Sequence, residues 1–407
     1  MVPTSTIHSC PALHPIPAQG HHRRMSQRKP ALLAALSIVL DAGHENGTLV
    51  QGSLVHAFET QVAQAWDMAA TIAVNSGSSA LRLAVEAFQI EAGREVILPA
   101  LTFISTAYAV SDAGLVPVFV DIDPHTLTID PAAVRAAITD KTAAIMPVHL
   151  FGQMAEMEPL LALAEEYGLL VIEDAAQAHG ATYHGTNAAH ASARKSYAGS
   201  MGDLGCFSMN GIKNMGAPGD GGLITISRRL LERKPLIVQR LRGLRDLGRV
   251  AGSRYVHDTW GMRARMDEFT ALECLQELAE LDAWNERRRV IAARYHAALQ
   301  GSCLQAPVTA SGREHVFFTY IVSAPTRAMH HHFEDCLRAA GIEVAETVTL
   351  VSDQHLYRSG ALPSRSGSLE TAGDLVERIS AVPLYPELQK EEIERIVTVL
   401  QQRAWEK

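Results

Sequence analysis

Lys213 sits in the stretch Cys206-Phe207-Ser208-Met209-Asn210-Gly211-Ile212-Lys213-Asn214, with Gly202, Gly205 and Gly211 before it and Gly216, Gly219, Gly221 and Gly222 after it. Glycines let a backbone turn sharply and approach a ligand closely. A lysine that forms a Schiff base must reach a buried partner and shed its proton, which burial and neighbouring positive charge assist. Alone, such a lysine reads equally as a surface residue in a flexible loop. Asp174 ends the run Val171-Ile172-Glu173, where a parallel strand would meet its ligand crevice. A carboxylate there can keep a pyridinium nitrogen protonated, because opposite charges at close range favour both charged forms. Acidic residues at strand ends also serve as helix caps or metal ligands. The turn Ser76-Gly77-Ser78-Ser79 opens a helical stretch over 80–89. Amides and hydroxyls at a helix start suit a phosphate, although serines there are often N-caps and nothing more. An amine, a partner for a ring nitrogen and an anion cradle are what pyridoxal phosphate, an electron sink when its ring is protonated, would need.

These residues need elements to position them, and the apolar pattern supplies an order. Helical spacing over 58–66 precedes a strand at 72–74, a helix at 80–89, a strand at 95–99 and a helix at 102–112. Strands at 116–120, 143–148 and 169–173 then alternate with helices at 131–138 and 157–167. Such alternation is the mark of βαβ units around a mostly parallel sheet with helices on both faces. Ligands of such a sheet bind at the carboxyl ends of its strands, and Ser76–Ser79, Pro99–Phe103 and Asp174 cluster there. Beyond Gly222 the pattern turns helical, with a long helix from 269 to 289 continuing towards Tyr295. A strand at 316–322 and helices at 330–340 and 390–402 form a smaller α/β unit.

The expected organisation is a flexible tail over 1–28, a large domain with an N-terminal helical arm over 29–290, and a small C-terminal domain over 291–407. At 407 residues the chain is too long for one small core. With 47% hydrophobic and 20% charged residues it reads as an ordinary soluble protein. The formal charge of −8 and the lack of a dense basic tract beyond His21-His22-Arg23-Arg24 argue against nucleic acid as a partner. Five scattered cysteines without CxxC spacing support neither a disulfide framework nor a zinc site, and fit a reducing cytoplasm. Apolar runs such as 31–40 and 96–104 are too short to span a bilayer. The start lacks the pattern of a signal peptide.

In order, Ser76-Gly77-Ser78-Ser79, Pro99-Ala100-Leu101-Thr102-Phe103, Asp121-Ile122-Asp123, Glu173-Asp174-Ala175-Ala176-Gln177-Ala178-His179-Gly180, Gly202-Asp203-Leu204-Gly205-Cys206-Phe207-Ser208, Lys213 and Gly221-Gly222 resemble the sugar aminotransferases of fold type I, the DegT/StrS type. The resemblance covers about residues 50 to 400. Met266-Asp267-Glu268-Phe269 and Val382-Pro383-Leu384-Tyr385-Pro386 agree with it downstream. It implies a fold type I pyridoxal-phosphate transferase: a large α/β domain with a mostly parallel central sheet, plus a smaller C-terminal α/β domain. By that resemblance Lys213 would carry the cofactor and shuttle the proton. Asp174 would pair with the pyridine nitrogen, and Gln177 would bond the phenolic oxygen. Gly77, Ser78, Ser79 and Ser208 would hold the phosphate, Phe103 would stack on the ring, and Thr102 would fix that loop. His179 would line the substrate side or else satisfy the sheet interior.

Three departures stand out. Met209 replaces the family's Phe after Phe207-Ser208. Arg263, in Gly261-Met262-Arg263-Ala264-Arg265-Met266, stands where the family often has an Asn that reaches the partner subunit's phosphate, so that the contact is either strengthened by arginine or lost. The polar stretch 186–200 is long and carries His190, Arg194, Lys195 and Tyr197. Arg194 and Lys195 are read as substrate-binding, hinting at a phosphorylated acceptor, although such cations can also face the cofactor phosphate or only water. His330-His331-His332 lacks partners at ligand spacing and reads as solvated surface, and Arg287-Arg288-Arg289 as a charged outer face; no metal site is expected.

The implied reaction moves an amino group from L-glutamate or L-glutamine to a ketone on a sugar, cyclitol, nucleotide-linked sugar or nucleoside, in antibiotic or other secondary metabolism. A homodimer with shared sites is implied by the same resemblance. The alternatives are a dehydratase or aromatizing synthase on the same fold, or a non-catalytic cofactor-bound regulator or scaffold. Family dehydratases replace the lysine by His, whereas Lys213 is present here.

Overall fold

The computed structural model describes residues 14–41, 49–185, 195–403 and 405. Helices α1 (His21–Asp41) and α2 (Ser53–Ala65) lead into β1 (Ala70–Val74), α3 (Gly77–Ala87), β2 (Glu95–Pro99), α4 (Ile104–Asp112) and β3 (Val116–Val120). There follow α5 (Pro131–Ala137), β4 (Thr142–Ile145), α6 (Met157–Tyr167), β5 (Leu170–Asp174) and two short strands, β6 (Thr182–Tyr183) and β7 (Ser196–Tyr197). Next come β8 (Leu204–Ser208), β9 (Gly222–Ile226), α7 (Arg228–Arg233), α8 (Ile237–Leu244) and the long α9 (Glu268–Leu299). The last part holds β10 (Arg313–Glu314), β11 (Tyr320–Ser323), α10 (Arg327–Ala339), α11 (His355–Arg358), β12 (Arg365–Ser366), α12 (Glu370–Leu375), β13 (Ile379–Val382) and α13 (Lys390–Gln402).

The main sheet has the order β1-β9-β8-β5-β4-β2-β3-β12. Its ladders are parallel except where β9 runs antiparallel to both β1 and β8. Along each strand alternate side chains enter opposite cores, as a sheet covered on both faces requires. Ile72, Val74, Leu98, Ile172 and Ile224 pack with Leu83 of α3, Val110 of α4 and Leu241 of α8. Ala73, Ile97, Val120, Val171 and Leu223 pack with Phe58 of α2, Leu160 of α6 and Cys274 of α9. A third core joins the end of α9 (Ile291, Tyr295, Leu299) to β11, α10, β13 and α13. This is the large α/β domain and smaller C-terminal unit expected of fold type I.

Two features differ from the sequence reading. The flexible tail over 1–28 does not hold for residues 14–28. Ile16 pairs in parallel with Ile342 and is fully buried, α1 begins at His21, and Arg24 is 3% exposed. Polar composition concealed this, because Arg24 is buried by ion pairs and not by apolar packing. In addition, the C-terminal segment does not stay in one unit. Leu350, Val351, Tyr357, Ala372 and Leu375 pack into the first core, and β12 extends the main sheet beside β3. Among the described residues no helix is long and apolar enough to cross a membrane.

Candidate active site

Because β9 alone is reversed, the carboxyl ends of β1, β5 and β8 share an edge with the start of β9. Ser208 and Gly222 are paired, so residues 209–221 form the loop that joins two antiparallel strands. Lys213 lies in that loop, and its amide donates to Asn210 O at 2.8 Å. Its Nζ stands 4.6 Å from the centroid of the Phe318 ring. Burial lowers the amine to about 8, with the Asp174 carboxylate pulling the other way. A lysine so placed is neutral for about a tenth of the time at pH 7, far more than an ordinary lysine, as a nucleophile requires.

Asp174 is the last residue of β5 and is 5% exposed. Its Oδ2 accepts from Thr106 Oγ1 at 2.8 Å and its Oδ1 from Ala176 N at 3.1 Å. Thr102 Oγ1 lies 2.8 Å from Thr106 Oγ1, which extends the chain of hydroxyls along α4. Burial raises the carboxyl above its ordinary value, against the hydrogen bonds from Thr106 and Ala176 and the charge of Lys213. The adjacent Glu173 points to the other face and serves structure. It accepts from His149 Nε2 (2.7 Å), Gly199 N (2.9 Å), Met201 N (2.8 Å) and Gly202 N (2.5 Å). His149 Nδ1 accepts from Ala155 N at 3.1 Å, which places the ring proton on Nε2.

At the neighbouring strand end, Ser76 caps α3 by accepting from Ser79 N at 3.1 Å, and the two hydroxyls are 3.0 Å apart. The amides of Gly77 and Ser78 precede any intrahelical acceptor and are available to an anion. Ser78 is exposed and its hydroxyl lies 2.8 Å from that of Ser105. A Cβ on Gly77 would stand 2.7 Å from Ser208 Cβ, so the first turn of α3 and the end of β8 touch. Gly77 and Ser208 therefore touch, with Ser78 and Ser79 in the same first turn of α3, Asp174 at the end of the neighbouring β5 and Lys213 in the loop after β8. Gln177, in the turn after β5, accepts from Phe151 N at 2.7 Å through Oε1, which directs its amide nitrogen elsewhere as a donor. Phe103 precedes α4 and is 61% exposed at the same edge.

The other candidates are placed differently. His179 has no solvent exposure, and neither ring nitrogen has a hydrogen-bond partner among the described residues. Its ring is 5.3 Å from that of Phe207, and burial, aided by the charge of Lys213, pushes it down to about 3. It is a neutral interior ring beside Lys213 and Ser208. Lys195 pairs with Glu314 at 3.1 Å and lies over Tyr197. Arg194 lies outside the described residues. Arg263 is exposed, on a loop whose backbone pairs with Asp246. Arg288, expected on a charged outer face, is buried and donates to the carbonyls of Phe317 at 3.1 Å and Leu384 at 2.9 Å. It thereby holds the segment that carries Phe318 over Lys213. Thr106, His149 and Phe318 escaped the sequence reading and Arg288 was misplaced by it; only Thr106 had a signal, its four-residue spacing from Thr102 in the helix expected over 102–112.

A family model described as the DegT/DnrJ/EryC1/StrS aminotransferase family matches residues 36–401. The chain belongs to this family. It is 37% identical over 385 residues to a UDP-N-acetyl-3-dehydro-alpha-D-glucosamine 3-aminotransferase of Acidithiobacillus ferrooxidans, covering 95% of this chain and 97% of that protein. It is 33% identical over 357 residues to the erythromycin biosynthesis sensory transduction protein EryC1 of Saccharopolyspora erythraea, covering 87% and 91%. The crystal structure of S. venezuelae DesV in complex with a ketimine intermediate superposes with a TM-score of 0.84 at 33% identity, over 96% of this chain and 98% of that one. The chain is a pyridoxal-phosphate-dependent aminotransferase. Its residues fit the cofactor: Asp174 is a buried carboxylate without an ion pair among the described residues, suited to a cationic ring nitrogen. The bare amides and hydroxyls of α3 suit the phosphate, and the Lys213 amine suits the aldehyde.

Proposed function

We propose that this aminotransferase takes an amino group from L-glutamate or L-glutamine and delivers it to the ketone of a sugar, cyclitol or nucleotide-linked sugar in the making of a secondary metabolite. The observation that carries the reading is the convergence of the lowered Lys213 amine, the buried Asp174 carboxylate and the anion-binding start of α3 on one sheet edge. The sugar acceptor is supported by the relatives, among which the A. ferrooxidans protein is named for a keto-sugar nucleotide and EryC1 for an antibiotic route. When bound, pyridoxal phosphate supplies the electron sink into which the breaking C–H bond of the donor drains.

The chain supplies the rest. Lys213 Nζ, neutral in part near pH 8, takes the proton from the donor carbon and returns one to the acceptor carbon in the second half of the cycle. Asp174, held by Thr106 and Ala176, keeps the ring nitrogen protonated. Gln177 donates to the phenolic oxygen, and Phe103 covers one ring face. Gly77, Ser78, Ser79 and Ser208 bind the phosphate and fix the ring's orientation, which is worth more than binding alone because it aligns the scissile bond. Arg263 reaches the phosphate held by the partner in a homodimer, and Arg194 and Lys195 are assigned to binding the acceptor. A cytoplasmic location, consistent with the scattered cysteines, belongs to the same reading.

The test is the visible spectrum of the purified protein before and after each donor, with borohydride reduction and peptide mapping. Bleaching of a yellow band by glutamate or glutamine and a reduced adduct on Lys213 are expected. A colourless protein that takes up no pyridoxal phosphate would overturn the assignment of the site, and a yellow protein indifferent to both donors would overturn the donor.

A further inference from the structure

The segment that composition marks as a tail grips the loop of Lys213. Arg24 Nη1 donates to the carbonyl oxygen of Lys213 at 3.2 Å and lies 3.4 Å from Glu277 Oε2 on α9. Glu277 Oε2 accepts from the amide of Gly216 at 2.5 Å. The ring of His21 rests on Gly211, where a Cβ would stand 2.2 Å from its Cε1. Residues 211, 213 and 216 are thus held at three points by α1 and α9. Arg24 is 3% exposed and Glu277 not at all. Around them stand Arg28, 3.1 Å from both Glu277 and Glu273, Glu387, 3.1 Å from Arg24 Nε, and the Trp284 ring beneath Arg24 at 4.8 Å. The Cys274 thiol also faces the two α9 carboxylates.

Burying so many charges costs solvation, and apolar side chains would dock a helix at least as well. What apolar packing could not do is satisfy the loop's free backbone groups. The Lys213 carbonyl and the Gly216 amide lie outside any ladder, and a buried backbone group without a partner is costly. Charged partners make the stronger bonds. The ions therefore sit where the loop needs a donor on one side and an acceptor on the other.

We propose that Arg24 and Glu277 are positioning residues for Lys213, clamping its loop from both sides and so setting how deeply its ε-amine is buried and how readily it gives up a proton. The inference rests on Lys213 being the cofactor lysine. It makes α1 part of the active-site machinery, acting through the loop without touching substrate.

The experiment compares Arg24→Gln and Glu277→Gln with Arg23→Gln in the holoenzyme. Arg23 lies on the same helix and makes a two-point pair with Glu392 at 2.6 Å, away from the loop. A loosened loop lets water reach the Lys213 nitrogen joined to the cofactor and favours its protonated, cationic form, so both clamp variants should raise the pH midpoint of the Lys213-linked absorption by about 0.5–1 unit. The kcat should fall about tenfold while the donor KM stays within about twofold, the pattern of lost positioning. Arg23→Gln should lower the melting temperature and leave the midpoint in place. Arg24→Lys should restore most of it. Unchanged midpoints in the two clamp variants overturn the proposal. So do opposite shifts, up for Arg24→Gln and down for Glu277→Gln, which are the signature of a direct field of charge. If one variant fails to fold, the other decides. A wild type without a Lys213-linked band would overturn the proposed function, and the clamp with it; a normal wild-type band with unmoved variants removes only the clamp.

Discussion

At the scale of single residues, the site works by taking ionisable groups out of water and giving each one controlled partner. Asp174 shows the balance. Burial raises its carboxyl, and the hydroxyl of Thr106 is the first of the forces that hold it down. Thr106→Val keeps the side-chain shape and removes the donor, so the Asp174 carboxyl should titrate higher still. In the proposed mechanism Asp174 acts as the carboxylate, hence the acid limb of the pH–rate profile should move to higher pH in this variant. At neutral pH the ionised carboxylate also loses a buried bond, which should cost roughly 1–3 kcal/mol of stability. A pH–rate profile and a urea melt check both; an acid limb that stays in place would show that Thr106 does not govern Asp174. Asp174 and Lys213 were legible in the sequence through the ordered motifs around them, since either residue alone reads equally as a cap or a surface side chain. Thr106 was not, since a hydroxyl inside a helix announces nothing until its partner across the sheet is known.

At the scale of elements, the cradle depends on how closely α3 and β8 approach. Gly77 makes this possible, because any Cβ there would stand 2.7 Å from Ser208 Cβ. Gly77→Ala should push the helix start away from Ser208 and weaken cofactor binding by about tenfold, or ~1.4 kcal/mol. Gly373→Ala, in α12 with nothing near the added Cβ, is the control and should be neutral or slightly stabilising. Titration of each cofactor-free variant with pyridoxal phosphate, followed by absorbance, distinguishes them; equal affinities would mean the approach of the two elements is immaterial. The alternation of apolar runs with helical periods read well wherever strands are parallel and doubly covered, as in β2, β3 and β5. It failed at β8 and β9, whose Leu204-Gly205-Cys206 and Gly222-Leu223 mix glycines into the strands, and whose pairing across residues 209–221 leaves no local pattern. Gly205 is required by contact: a Cβ there would stand 2.3 Å from the Cα of Gly199. The helix over 21–28 escaped for a related reason, since its buried face is made of arginines whose carboxylates come from α9 and from Glu387, far along the chain.

At the scale of the whole molecule, a single chain leaves large apolar side chains uncovered. Tyr255, Val256 and Trp260 are 81%, 56% and 49% exposed, close in sequence to Arg263, and Leu33, Leu36, Ile38 and Leu40 of α1 are exposed as well. Contiguous apolar surface on a monomer often marks an interface, and a two-fold dimer would cover the same residues on both copies. This is the setting in which Arg263, exposed and on the loop that follows those residues, can serve a phosphate in the partner's site. The consequence is testable by complementation. Lys213→Ala and Arg263→Ala homodimers should each be impaired, the first to inactivity. Unfolded together and refolded at equal amounts, half of the dimers would be mixed, and each would contain one site with both residues intact. Activity should then recover to about a quarter of the wild-type value, because one site in two works in one dimer of two. Recovery at that level requires Lys213 and Arg263 to come from different chains. If mixing yields no more than the average of the two homodimers, Arg263 acts within its own chain or not at all, and the exposed loop covers something other than the partner's phosphate site.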